Sequence, residues 1–287
     1  MKNLKIRRLF VFLAVCGLLS SMILTGCQKG GSDSPEGKTE AFANVEVNES
    51  FVDDIRDRGY LIAGCKMDVP DLGLYDKETD TWSGLEVELA WQTAADIFGV
   101  DIGEAKEKEL VHFVGVTVAD REDKLRDGEI DCMIATYTIT EERAKEFALS
   151  DSYYTEYIGL MVRYSGKDNN SLGTSDIRSL ADLDGKIIAV AKNSTTRHDM
   201  LEYIDSMNTI KVSPRFNEYN GYEAMFKALK KKEVDAMSVD VSILKGYVDN
   251  STIILGDRFA GQHYGAAVKP ENRRLLENIN KAIEQIQ

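Results

Sequence analysis

The sequence predicts an α/β fold built from two related units, and three observations carry this reading. Short apolar, strand-like runs alternate with segments whose apolar residues recur every three to four positions, as in strands linked by covering helices. One helix-turn-strand unit is used twice: Leu125-Arg-Asp-Gly-Glu-Ile-Asp131-Cys-Met133 parallels Leu229-Lys-Lys-Lys-Glu-Val-Asp235-Ala-Met237 at a constant offset of 104 residues. Both copies place a polar residue just past the strand, Thr136 and Asp240, where open α/β sheets offer a crevice at their carboxyl ends. Two such sheets facing each other would bring those residues into one cleft; chance likeness between amphipathic units is the alternative.

The first series opens with the strand 61–64 (LIAG) and a helix over 85–98, in which Leu85, Leu89, Thr93, Ala94 and Ile97 fall at helical spacing. A strand at 110–114 and a short helix through Leu125 lead to the strand 130–135. Thr140 then starts a helix with Glu141 and Glu142 in its first turn, where the macrodipole favours acids. The second series reads as strands 158–162 and 187–190, helix 195–204, a strand near Val212, helix 222–231 and strand 234–238. Tyr222, Met225, Phe226 and Leu229 form a stripe that reads as core. The last helix, 272–286, carries Leu275, Ile279, Ala282 and Ile286 on one face, which needs a sheet to cover.

With 287 residues, 43% of them hydrophobic, the chain is long and apolar enough for one or two packed domains. Its net charge of −13, with no run of five basic residues, opposes a phosphate backbone, so no nucleic-acid partner is expected.

Lys2, Lys5, Arg7 and Arg8 precede an uncharged apolar run over 9–24, the layout of a signal peptide. Leu24-Thr25-Gly26-Cys27 resembles the lipobox of bacterial lipoproteins. That resemblance implies removal of residues 1–26 and acylation of Cys27, which would hold the exported chain on the membrane by buried acyl methylenes. Residues 27–47, rich in Gly, Ser, Lys and Glu, then read as a flexible tether. Cys65 and Cys132 remain; at the end of one expected strand and the start of another, they read as two small buried thiols rather than a disulfide. His112, His198 and His263 lie far apart, so no metal site is expected.

Gly-x-Ser-x-Gly, His-Glu-x-x-His, P-loop and Gly-x-Gly-x-x-Gly signatures are all missing, so neither catalysis nor a cofactor is expected. Cations and hydroxyls instead gather at strand ends: Lys66, Thr136 and Thr138 ahead of Arg143, and Thr195-Thr196-Arg197 opening a helix. Free N–H groups at such a helix start could hold a carboxylate. Each residue also has a plainer use: Ser194 and Thr195 as N-caps, Arg143 paired with Glu142 or Glu146, Arg121 with Glu122 or Asp123, and Asp240 capping the next helix. Lys66 is the most informative cation, because a lysine directly after an apolar strand seldom serves packing.

These residues sit in ordered motifs: Gly64-Cys-Lys66-Met-Asp68-Val-Pro70 with Trp82-Ser-Gly84-Leu-Glu-Val-Glu88; Thr136-Tyr-Thr138-Ile-Thr140-Glu-Glu-Arg143 with Leu149-Ser-Asp-Ser-Tyr153-Tyr154; Ser179-Leu-Ala-Asp-Leu-Asp-Gly185-Lys186; and Val234-Asp-Ala-Met-Ser-Val-Asp240. The chain thereby resembles the extracellular solute-binding proteins of ABC importers, family 3, with the two-lobe type II periplasmic binding fold. The segments 134–140 and 238–247 look most like its aspartate/glutamate-binding branch. The resemblance implies that Arg143, with Thr138, clamps the ligand α-carboxylate. Asp240 from the opposite lobe and Thr136 would take the ammonium. Lys66, Arg121, Thr195 and Thr196 would meet the distal carboxylate, with Tyr219 closing the pocket. It further implies an ABC permease with its ATPase subunit as partners, a monomer, and no cofactor.

The expected lobes are 48–155 with 267–287, and 156–266, hinged at 154–158 and 262–268. Val69 and Val118 stand where binders of basic amino acids carry stacking aromatics, which disfavours a cationic ligand. The chain ends sooner than relatives of this family do, so the last part of lobe 1 is expected to be cut short or to close differently. The alternatives are a glutamine or other polar amino-acid binder of the same importer type, and a dehydratase on the same fold using Glu156 or His263.

Overall fold

A computed structural model describes residues 42, 44–164 and 175–287. The expected signal peptide, Cys27 and the tether up to residue 41 lie outside the described residues. Phe42 is buried in the main core, Val45 packs against it, and the Val45 carbonyl accepts from the Arg273 guanidinium. The packed chain therefore reaches further back than residue 47, because burying one phenyl ring is worth about 2 kcal/mol even in a polar stretch.

The chain runs through α1 (Phe51–Arg58), β1 (Leu61–Cys65), β2 (Asp68–Val69), β3 (Gly73–Asp76), β4 (Thr81–Ser83), α2 (Leu85–Phe98), α3 (Ile102–Glu107), β5 (Val111–Gly115), α4 (Arg121–Asp127), β6 (Cys132–Ile134) and α5 (Arg143–Glu146). It continues through β7 (Ala148–Arg163), β8 (Ile187–Ala191), α6 (Thr196–Ser206), β9 (Arg215–Tyr219), α7 (Tyr222–Lys230), β10 (Ala236–Asp240), α8 (Val241–Lys245), β11 (Thr252–Ile254), β12 (Phe259–Val268) and α9 (Arg274–Ile286). Nine strands form one sheet in the order β5-β1-β6-β12-β7-β10-β8-β9, with β11 beside β7. Strands β5, β1 and β6 are parallel, as are β10, β8 and β9. The antiparallel pair β7–β12 joins these two parallel halves, with Tyr264 opposite Tyr154 and Gln262 opposite Glu156.

Two expected strands are placed differently. The strand expected at 158–162 begins ten residues earlier, at Ala148, because its first part pairs with β12 and crosses between the halves. The strand expected near Val212 is β9, over Arg215–Tyr219, whose exposed Arg215, Asn217 and Glu218 leave little apolar signal. Apolar β1 and β8 match their expected positions, since strands covered on both faces read as continuous hydrophobic runs.

The internal echo is a repeated clamp. Asp131 Oδ2 accepts the Ile62 N–H at 2.8 Å while its own N–H donates to the Ile62 carbonyl. Asp235 does the same to Ile187, also at 2.8 Å. The left-handed turn before each clamp is made by Gly128 in one copy and Lys232 in the other. Each aspartate thus sets the register of a parallel strand whose far end reaches the cleft.

Helix α2 starts at Gly84, whose φ of +112 suits glycine, and a Cβ there would lie 2.2 Å from the Leu72 carbonyl oxygen. This tight start drives Glu86 inward. At the other end of the chain, α9 buries Leu275, Ile279, Ala282 and Ile283 and packs on α2. Cys65 and Cys132 are buried free thiols.

Candidate functional site: a cavity between the parallel halves

The carboxyl ends of the strands in both halves converge on a small cavity lined by Val118, Arg121, Thr136, Thr138, Arg143, Ser194, Thr195, Thr196, Tyr222, Val239 and Asp240. Seven residues singled out in the sequence are therefore neighbours: Arg121, Thr136, Thr138, Arg143, Thr195, Thr196 and Asp240. They come from the starts of α4 and α5, the segment after β6, the start of α6 and the last residue of β10.

The Tyr137 ring organises the two arginines, with the Arg143 guanidinium carbon 3.9 Å and that of Arg121 4.8 Å from its centroid. Arg143 donates to the Thr138 carbonyl at 2.8 Å and to the Asn193 carbonyl in the opposite half at 3.2 Å; its Nε lies 3.7 Å from Glu122. Burial and then Arg121 lower its pKa to about 10, so it stays charged at neutral pH. Arg121 is 2% exposed, donates among the described residues only to the Ala135 and Thr136 carbonyls, and leaves its buried Nε without a partner there.

Thr136 holds a φ of +46, which for a β-branched residue costs about 1–3 kcal/mol. Its N–H donates to Glu86 Oε1 at 2.5 Å, its carbonyl takes Arg121, and its hydroxyl is buried beside the Tyr222 side chain. Asp240 accepts the Tyr264 hydroxyl at 2.5 Å, and burial pushes its carboxyl up to about 6.

Lys66 and Tyr219 do not line the cavity. The Lys66 ammonium sits 4.8 Å from the Tyr222 ring centroid, 3.0 Å from Asp68 Oδ1 and 3.5 Å from the Val116 carbonyl. Its charge is thus already opposed by a residue two positions on, and burial lowers its pKa. Tyr219 ends β9, where its carbonyl accepts the Lys192 N–H. Tyr222, three residues later, lines the cavity instead, because the α7 start turns that ring inward as the α7 stripe packs.

Sequence reasoning missed Tyr222 and Val239 in the lining and, behind it, Glu86, Tyr137, Gln262 and Tyr264. Glu86 is fully buried, and only its place beside Gly84 at a helix start hinted at a role. Glu156 and His263 lie outside the lining; Glu156 accepts the Ser242 N–H and His263 meets the Thr155 hydroxyl at 3.3 Å. Among the described residues no group of His, Cys, Asp and Glu could hold a metal ion. A wider groove shares Thr138 with the cavity but is lined further by Gln262, Asp199 and Glu202 and by no lysine or arginine, so a carboxylate finds no counter-charge there.

The halves meet across the cleft. Tyr247 donates to Asp68 at 2.9 Å, and Asn193 donates to the Ala119 carbonyl at 3.3 Å. Together these groups offer donors for carboxylates and acceptors for an ammonium.

The sequence profile of the bacterial extracellular solute-binding proteins, family 3, matches residues 61–287. The glutamine-binding protein of Geobacillus stearothermophilus is 30% identical over 97% of this chain and 99% of its own length. The glutamate-binding protein GluB of Corynebacterium efficiens is 26% identical over 98% of this chain and 87% of its own. Among solved structures, an ancestral arginine-binding protein bound to glutamine is similar with a TM-score of 0.64 and 30% identity, covering 80% of this chain and 92% of that one.

Proposed function

Because the chain belongs to the bacterial extracellular solute-binding proteins, family 3, we propose that it captures an acidic amino acid, aspartate or glutamate, and delivers it to the permease of an ABC importer whose ATPase subunit lies inside the cell. The protein is exported and held on the outer face of the membrane by lipid on Cys27. Residues 48–155 with 267–287 act as one lobe and 156–266 as the other, closing about the β7–β12 crossing.

Arg143 clamps the α-carboxylate with its planar fork. Asp240 takes the ammonium. The observation that carries the acidic reading is Arg121, a buried cation at the cavity whose hydrogen bonds, among the described residues, go only to carbonyls, the Glu86 and Asp240 carboxylates acting on it from beyond ion-pair distance. A ligand's second carboxylate would compensate that charge, whereas a neutral amide would leave it poorly paired. Tyr222 closes the wall beside it. Glutamine is the second reading, favoured by the glutamine-binding relative and by the Lys66–Asp68 pair, which leaves one cation fewer to satisfy.

Calorimetric titration of ligand-stripped protein with aspartate, glutamate and glutamine tests this. Tight one-to-one binding of an acidic ligand, with glutamine weaker by about 1–3 kcal/mol, supports the reading; preference for glutamine overturns it. Arg121→Met is expected to weaken acidic ligands by about tenfold or more and glutamine much less. Lys66→Met is expected to move that ratio by less than about tenfold, because Asp68 already opposes its charge. A larger shift from Lys66 than from Arg121 would reverse their roles.

A further inference from the structure

Gln262 lies on the crossing strand β12, is 2% exposed, and is absent from the cavity lining. Its side-chain N–H groups donate to Asp199 Oδ2 at 2.9 Å and to the Ala260 carbonyl at 3.1 Å. A carboxylate and a carbonyl only accept, so the amide has one orientation: NH2 toward these groups, Oε1 toward the cavity wall. There Oε1 accepts the Thr138 hydroxyl from one half at 2.8 Å and the Thr195 hydroxyl from the other at 3.1 Å.

A threonine hydroxyl has one proton. With both protons engaged on Gln262, Thr138 and Thr195 can offer the cavity only lone pairs. We propose that Gln262 is a positioning residue that fixes both hydroxyls as acceptors and so makes the pocket demand an ammonium on its ligand. Donors for the carboxylates are then left to Arg121, Arg143 and backbone N–H groups. This assigns the Thr138 hydroxyl to the ammonium side, not to the carboxylate side that the family resemblance implies. The inference rests on the amino-acid reading above, but not on which amino acid is bound.

The test compares the Kd for glutamate with that for glutarate, the same molecule without its ammonium, by calorimetry on the purified protein. If glutamine is the tighter ligand, glutamine and 4-carbamoylbutanoate form the corresponding pair. Wild-type protein should prefer the amino acid strongly. In Gln262→Leu the freed hydroxyls can turn and donate to a carboxylate, so the preference should shrink by about tenfold, the worth of one charge-assisted hydrogen bond. In a Thr138→Val, Thr195→Val background no hydroxyl is left to orient, and Gln262→Leu should then leave the ratio unchanged. A Gln262→Leu protein that loses affinity for both molecules by the same factor would overturn the positioning role. So would a Gln262→Leu change that shifts the ratio as much in that background as in the wild type. Wild-type protein that binds no amino acid would overturn the proposed function itself, a result distinct from either.

Discussion

Replacing Arg143 by methionine is expected to weaken amino-acid binding by about 2–5 kcal/mol, on the order of 30-fold to several thousand-fold in Kd, which is the cost of truncating one partner of a buried, hydrogen-bonded charge pair. The guanidinium is already held before a ligand arrives, by the Thr138 and Asn193 carbonyls and the Tyr137 ring, so little ordering cost falls on binding. Arg143→Lys should recover only part of the loss, since an ammonium keeps the charge but not the fork. The ligand-free protein should melt somewhat below wild type, because the Thr138 and Asn193 carbonyls and the Tyr137 ring lose their partner, while the ion pair with Glu122, at 3.7 Å, adds little. Calorimetry and a thermal melt on the same samples check this; near-normal affinity in the methionine variant would remove Arg143 from the carboxylate site.

Glu86→Gln is expected to flatten the pH dependence of stability. Burial pushes the Glu86 carboxyl from an ordinary 4.5 to about 7, against the opposing effect of the Tyr153 hydroxyl, the Thr136 N–H and the cations Lys66 and Arg121. The folded protein therefore keeps this proton over a range in which the unfolded chain has released it. Its contribution to stability is fully present below about pH 4.5 and is lost as pH rises through about 7, a loss of about 3 kcal/mol by pH 8. Glutamine keeps an Oε1 for Thr136 and Tyr153 and removes the titration. Urea unfolding at pH 5 and pH 8 should show wild type losing stability and the variant losing less. Asp240, pushed up to about 6, leaves a smaller slope of the same sign. Identical profiles for the two proteins would mean that Glu86 is ionised throughout.

Much of the architecture was legible because its signals are local. Continuous apolar runs marked β1 and β8, and the repeated Asp131 and Asp235 could be matched by a fixed offset before their shared clamp on Ile62 and Ile187 was visible. The β7 strand was half read, since its crossing portion, with burial alternating irregularly from Ser150 to Tyr157, has no clear period. Thr136, Thr138 and Arg143 stand together in one short segment, so their proximity needed no tertiary information.

By itself the sequence determined the alternating α/β order, the strand-end positions of the polar residues and the excess of cations among them, because periodicity and turn chemistry act over a few residues. Only the tertiary structure decided which cation lacks a carboxylate at ion-pair distance, since Lys66 has Asp68 there whereas Arg121, among the described residues, hydrogen-bonds only to carbonyls and meets Glu86 and Asp240 at longer range. It also decided that Tyr222 rather than Tyr219 faces the cavity, and that Gln262, 124 residues from Thr138, orients that hydroxyl. Charge compensation and hydrogen-bond direction depend on what the folded chain brings within about 3 Å, and no spacing along the sequence encodes that.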